Sequence, residues 1–368
     1  MSTQFPHVEV WQTLPLDLQL VCSTSPLEYT LPQLKERIDS KHIREALAKC
    51  WLVDDVEGFL THFLAGPAWA KSIAESRAFP LNTDDRTIVE YGFAKSLGQG
   101  NQFSTEATRK TLRDNGYHRP SFKDDEINWN RVEVRRQSLS TLHGGGTLLD
   151  LISEKKDQEL VRAIFESVTG NFDSAVDRWP AEYRQPTDKF ERLMLARCYA
   201  ELARPEFPDL AAKVATSYPA EAAALRAIYH VRKNEWPAAA QSLNDLFSRL
   251  AEDPWVIAEI VEPAINQSAV IAQEDPAATG QIYEHLSKPF ASLRRNYQRQ
   301  VFRLFVGEQL GPDRAVEALN ELEPNVIWIP EALELRAKSY TAVNHPLASR
   351  AQQDWEWYQR HQPAGDTK

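Results

Sequence analysis

No apolar run approaches the ~20 residues that cross a bilayer, and the first residues lack the basic-then-apolar order of a signal peptide, so direct membrane insertion is not expected. Cysteine is scarce: Cys22, Cys50 and Cys198 are odd in number and far apart. That excludes a disulfide framework or a Cys-x-x-Cys knuckle and suits a reducing cytoplasm. Positive charge is short, with 42 Lys and Arg against 52 Asp and Glu and a formal charge of −10. Such a balance opposes binding to nucleic acid or anionic lipid. Glycine is also sparse, at 14 residues. No strand runs into a Gly-x-Gly-x-x-Gly turn: Leu97-Gly98-Gln99-Gly100 follows a helix and Gly144-Gly145-Gly146 lies between helices, so no dinucleotide cradle is expected. The nine histidines show no ligand spacing and no Gly-x-Ser-x-Gly elbow or Walker loop occurs, which leaves metal sites and catalytic residues without candidates.

What is present builds domains. With 42% hydrophobic and 10% aromatic residues, 368 positions suffice for two or three cores. Residues 8–12 (VEVWQ) and 16–23 (LDLQLVCS) alternate apolar and polar about a short Pro-containing link, which predicts a β-hairpin. Residues 31–47 predict helix broken near Asp39 and Ser40. Asp54 with Glu57 is spaced as a capping box, with Val56, Phe59, Leu60, Phe63 and Leu64 following at helical spacing, until Gly66-Pro67 stops one helix and starts another. Residues 80–92 (PLNTDDRTIVEYG) read as a polar turn entering a short β-branched strand. Further on, a helix capped by Ser104 ends near Asn115-Gly116, and a longer one covers about 126–142.

That last pair carries Arg109, Lys110, Arg113, Arg119, Lys123, Arg131, Arg135 and Arg136. A phosphate- or acid-binding patch is one account. The interleaved Asp114, Asp124, Asp125, Glu126 and Glu133 favour a solvated helix face instead.

Residues 5–26 (FPHVEVWQTLPLDLQLVCSTSP), together with 54–76 and 80–97, resemble the end of the catalytic domain in bacterial spermidine synthase-like proteins. Their fold is that of class I S-adenosylmethionine-dependent methyltransferases. The resemblance implies an incomplete Rossmann-like domain ending in a β-hairpin. It implies substrate contact by Trp11 and Gln12 and, upstream of this chain, the cofactor turn and general base. The Pro-Thr-Tyr-Pro-like segment of ordinary spermidine synthases is not kept, which puts a polyamine pocket of the usual kind in doubt. The chain is therefore expected to be the C-terminal piece of a longer protein. No cofactor is expected in it alone; S-adenosylmethionine or its decarboxylated form enters only if an upstream domain, transferase or membrane-embedded, completes the fold. Two chemistries suit Asp84, Asp85 and Arg86: a self-bonding turn, which is favoured, or a site where the carboxylates meet a cationic amine and Arg86 meets the donor's carboxylate.

After Gly144 to Thr147 the sequence repeats. Second-helix starts recur near Phe172, Glu206, Pro237, Pro276, Pro312 and Pro346, at intervals of the ~34 residues typical of tetratricopeptide-like hairpins. Gly170 is replaced in later units by Asn234 and Asn344, which also tolerate a left-handed helix end. The expected organisation is mainly α: residues 1–97 as the end of a spermidine synthase-like domain, 98–146 as a helical connector, 147–362 as an α-solenoid, and 363–368 as a disordered tail. The expected function is that of a cytoplasmic protein, non-catalytic on its own, whose repeats bind a protein partner. The competing expectation is one part of a two-chain aminopropyl- or methyltransferase.

Overall fold

The computed structural model describes residues 5–14, 17–76, 105–123, 126–323 and 325–361. The segment 80–92, with Asp84, Asp85 and Arg86, lies outside the described residues, as do Ser104 and the tail 363–368. The chain is mainly helical and forms two compact units, Met1–Arg184 and Gln185–Lys368.

The N-terminal unit contains a three-stranded antiparallel sheet in the order β2-β1-β3, with β1 at His7–Leu14, β2 at Asp17–Ser23 and β3 at Phe63–Ala65. The predicted hairpin is β1 and β2, in register from His7 opposite Ser23 to Gln12 opposite Leu18. Being central, β1 is buried on both faces. Trp11 packs with Phe63, Val56, Leu60, Ile38 and Val132 on one side, and Val10 packs with Leu64, Ala65 and Leu112 on the other. The first face is covered by α1 (Leu31–Asp39), α2 (Lys41–Cys50), α3 (Val56–Leu60) and α6 (Trp129–Leu142), the second by α4 (Pro67–Ser76) and α5 (Thr105–Asp114). Helices α7 (Lys155–Thr169) and α8 (Phe172–Arg178) complete the unit.

Two expectations change here. The cap of α3 is Asp55, not Asp54: its carboxylate accepts from Gly58 N at 2.8 Å. Gly58 is required because a Cβ there would stand 2.6 Å from that of Val53. Phe63 and Leu64 do not continue the helix. α3 stops at Leu60, and these residues pair with β1, where Gln12 N donates to His62 O at 2.7 Å. A three-residue apolar strand has no period of its own, so tertiary pairing decides its state.

The C-terminal unit follows the predicted punctuation. Helix α9 (Lys189–Glu201) pairs with α10 (Phe207–Ala215), and α11 (Pro219–Arg232) with α12 (Trp236–Leu250). α13 (Ala258–Asn266) and α14 (Ser268–Glu274) precede α15 (Pro276–His285); α16 (Leu293–Leu310) pairs with α17 (Pro312–Asn320), and α18 (Pro330–Ala342) with α19 (Ala348–His361). Proline opens many of these helices in the first turn, where its missing N–H costs nothing. Asn234 (φ 57°) and Asn344 (φ 54°) end helices in the left-handed region, as Gly170 (φ 88°) does at the end of α7. The unit is laced by buried arginines that end on acceptors within it. Arg295 donates to the Pro254 and Val256 carbonyls, Arg299 and Arg303 share Glu321, and Arg336 joins Glu323 (2.7 Å) and Asp354 (2.8 Å).

Candidate anion-binding cavity

The basic residues of α5, α6 and the loop between them divide: Lys110, Arg113, Arg119 and Lys123 are exposed, as a solvated face requires, whereas Arg109, Arg131 and Arg135 are half-buried. Arg136 is buried. Its Nε donates to the Thr61 carbonyl at 2.8 Å, its Nη2 to those of Leu60 and Phe63, and its Nη1 to Glu133 at 2.6 Å. Arg135 pairs with Asp55, the cap of α3. Arg109 donates to Gln12 Oε1 at 2.5 Å and Arg113 to the Leu151 carbonyl at 2.6 Å. Periodicity put these guanidinium groups on helices but not inward, because the acceptors that draw them in are backbone carbonyls supplied by other elements, which side-chain spacing does not reveal.

Around them lies a cavity of about 210 Å³ lined by Arg113, His118, Arg119, Trp129, Glu133 and Arg136, with Asn130 and Ser153 at its wall. A smaller space behind it, bounded by Arg109, Phe63 and Leu64, reaches towards the sheet. Arg113 is held by its carbonyl partner, and Arg119 lies over the Trp129 ring at 4.8 Å, so both heads are positioned. Among the described residues neither Arg113 nor Arg119 has a carboxylate partner. Among the described residues the cavity's one carboxylate, Glu133, is already bound: burial would raise its pKa, but Arg136, Gln137 (2.5 Å) and Arg109 hold it below the usual range, so it is ionised. Three arginines thus face one committed acid.

His118 shows the resulting field. Burial, and then the guanidinium groups of Arg119, Arg136 and Arg113, lower its pKa to about 4, so the imidazole is neutral near pH 7. Its Nδ1 is enclosed with no hydrogen-bond partner. Among the described residues, groups of three or more His, Cys, Asp or Glu placed to hold a metal ion are absent. The arrangement can attract and orient a small anion; it holds no obvious nucleophile beside a base.

Of the residues that the resemblance points to, Trp11 sits in the core of the sheet, its ring 4.8 Å from Phe59 and 5.2 Å from Phe63. Its indole N–H reaches the buried Glu9 at 3.3 Å. Gln12 is also buried, and its Oε1 accepts from Arg109, which bounds the smaller space. Asp84, Asp85 and Arg86 lie outside the described residues. Sequence reasoning singled out Arg113, Arg119 and Arg136, counted Glu133 only among the interleaved acids, and gave His118 no role. The available signal was Arg109 and Arg113 four apart on one helix face, followed by His118-Arg119-Pro120 in the turn that leads to the next basic helix. Set against protein-family models, curated proteins and solved structures, the chain matches none of them.

Proposed function

We propose that the chain is a non-catalytic binding protein whose N-terminal unit takes a small oxyanion-bearing ligand. The observation that carries this is a cavity of about 210 Å³ faced by Arg113 and Arg119 with no carboxylate to neutralise them among the described residues. Guanidinium groups held beside an enclosed space gain more from an arriving anion than from water. Thermal melting of the full chain with a panel of small oxyanions tests it: a rise in the N-terminal transition is expected, and no rise with any of them overturns it. The same charge distribution repels putrescine, which should leave that transition unmoved.

The C-terminal unit supports a second role, as an α-solenoid that docks a protein. Each hairpin packs on its sequence neighbour, and first helices meet next-but-one, as in α9 with α11 and α16 with α18. Stacked hairpins of this kind present an extended binding surface. Capture of a protein partner by the full chain should survive loss of Arg113 and Arg119, since the two roles use different units.

The spermidine synthase-like reading is retained in one form. Asp17 to Leu20 of β2, including Leu18 and Leu20, are exposed and Val21 to Ser23 half-buried, and among the described residues β2 is an edge strand. An open edge suits completion by further strands. Titration calorimetry with decarboxylated S-adenosylmethionine and putrescine, with and without an upstream domain, tests that form: binding only with the added domain is expected, and no binding in either case removes it.

A further inference from the structure

We infer that the cavity beside α5 and α6 is a site for a phosphate group, in inorganic phosphate or a small phosphomonoester, held by Arg113, Arg119 and His118. This rests on the anion-binding reading above and specifies its ligand. Three features select the chemistry. The lining groups come from separate elements, Arg113 from α5 and His118 and Arg119 from the loop after it, beside the committed Arg136 of α6, so they border the space from more than one element. A tetrahedral oxyanion offers acceptors in several directions, while a carboxylate offers two in a plane.

Charge is the second feature. Two guanidinium groups without acidic partners, beside a third already committed to Glu133, match a dianion better than a monoanion. Size is the third. About 210 Å³ is room for roughly seven waters at ~30 Å³ each, enough for phosphate with a few carbons and below the ~300 Å³ at which drug-sized pockets begin.

His118 supplies the remaining donor. Its Nδ1 is enclosed with no partner in the protein, so the ring nitrogen left to donate to an oxyanion in the cavity is Nε2. The groups facing His118 are Arg113 on α5, Arg119 on its own loop, and Arg136 and Glu133 on α6, with Arg109 at the rear of the same space. A bound dianion cancels much of the field of these arginines and favours the imidazolium. Ligand should therefore raise the midpoint at which the ring titrates, from its ligand-free value of about 4.

The test is titration calorimetry of the full chain with inorganic phosphate, glycerol phosphate, malonate and chloride, joined to NMR titration of the His118 ring. Expected are phosphate and glycerol phosphate binding at least tenfold more tightly than malonate or chloride, a raised His118 midpoint at saturation, and a tenfold or greater loss in Arg113→Ala and Arg119→Ala. The tighter of the two phosphates identifies the source of the group. His118→Asn, a milder change, is expected to weaken phosphate while leaving the melting temperature near that of the parent. Malonate binding as tightly as phosphate, or an unmoved His118 midpoint at saturation, would each overturn the inference while leaving the anion-binding reading in place; folded arginine variants with unchanged affinity overturn both. Absence of binding by all four anions overturns both.

Discussion

Arginine is handled differently in the core of the C-terminal unit and at the cavity of the N-terminal unit. In the C-terminal unit Arg299, Arg303 and Arg336 are buried and end on carboxylates or carbonyls already in place: Arg336 alone meets Glu323 and Asp354 and stacks near Tyr340. In the N-terminal unit Arg113 and Arg119 are oriented but not neutralised. A buried cation that lacked its partners would cost several kcal/mol, so the first group has to be saturated. Cations at the mouth of a cavity keep part of their hydration and can stay unmatched until a ligand arrives. Burial and partner supply, not residue type, separate a structural arginine from a receptive one.

That contrast can be broken by experiment. Arg336→Ala strands Glu323 and Asp354 and should destabilise the C-terminal unit by about 3 kcal/mol or more, read as a lower urea midpoint. Arg113→Ala with Arg119→Ala should shift urea unfolding by no more than ~0.5 kcal/mol while abolishing most oxyanion binding. Equal destabilisation by the two changes would erase the distinction.

The pH response sharpens the same comparison. Burial lowers both His62 and His118 to about 4 in the folded N-terminal unit, against 6.5 ordinarily. The unfolded chain therefore takes up protons first as pH falls, and the stability from these groups is complete above about 6.5 and is lost towards about 4. Glu9, raised by burial, works in the opposite sense at the acidic end of that window. Urea melts at pH 7 and pH 5 should show the N-terminal transition weakening, with a smaller change in His118→Gln. The smallest effect is expected at Lys41, whose 4.0 Å pair with Glu45 is exposed: Lys41→Ala should leave both transitions unchanged.

Most of the helical half was legible because its signals are local. Second helices begin at Phe172, Phe207, Trp236, Pro276, Pro312 and Ala348, within two residues of the positions read from proline and turn chemistry. Ala239, Leu243, Leu246 and Leu250, which fall at helical spacing in α12, are all buried. The hairpin was legible for the same reason, since alternation is a property of adjacent residues. The cavity was not. Arg136 turns inward because Leu60, Thr61 and Phe63 offer carbonyls from more than 70 positions away, and His118 is enclosed by arginines of two further elements. Non-local acceptors leave no periodic trace, so the inward turn of Arg136 could not be told apart from the exposed Lys110, Arg113, Arg119 and Lys123 near it.

The grip of Arg136 on the backbone before and at the start of β3 also bears on the order of assembly. β3 is only three residues long, and it gains contacts from β1 and from a guanidinium group on α6. Both partnerships close long loops, whose entropy must be met before any contact rewards it. The hairpin of β1 and β2 should thus condense early and the third strand join late, when α6 docks. In refolding, Arg136→Met should accelerate unfolding far more than it slows folding, marking the completed sheet as a product of the last step.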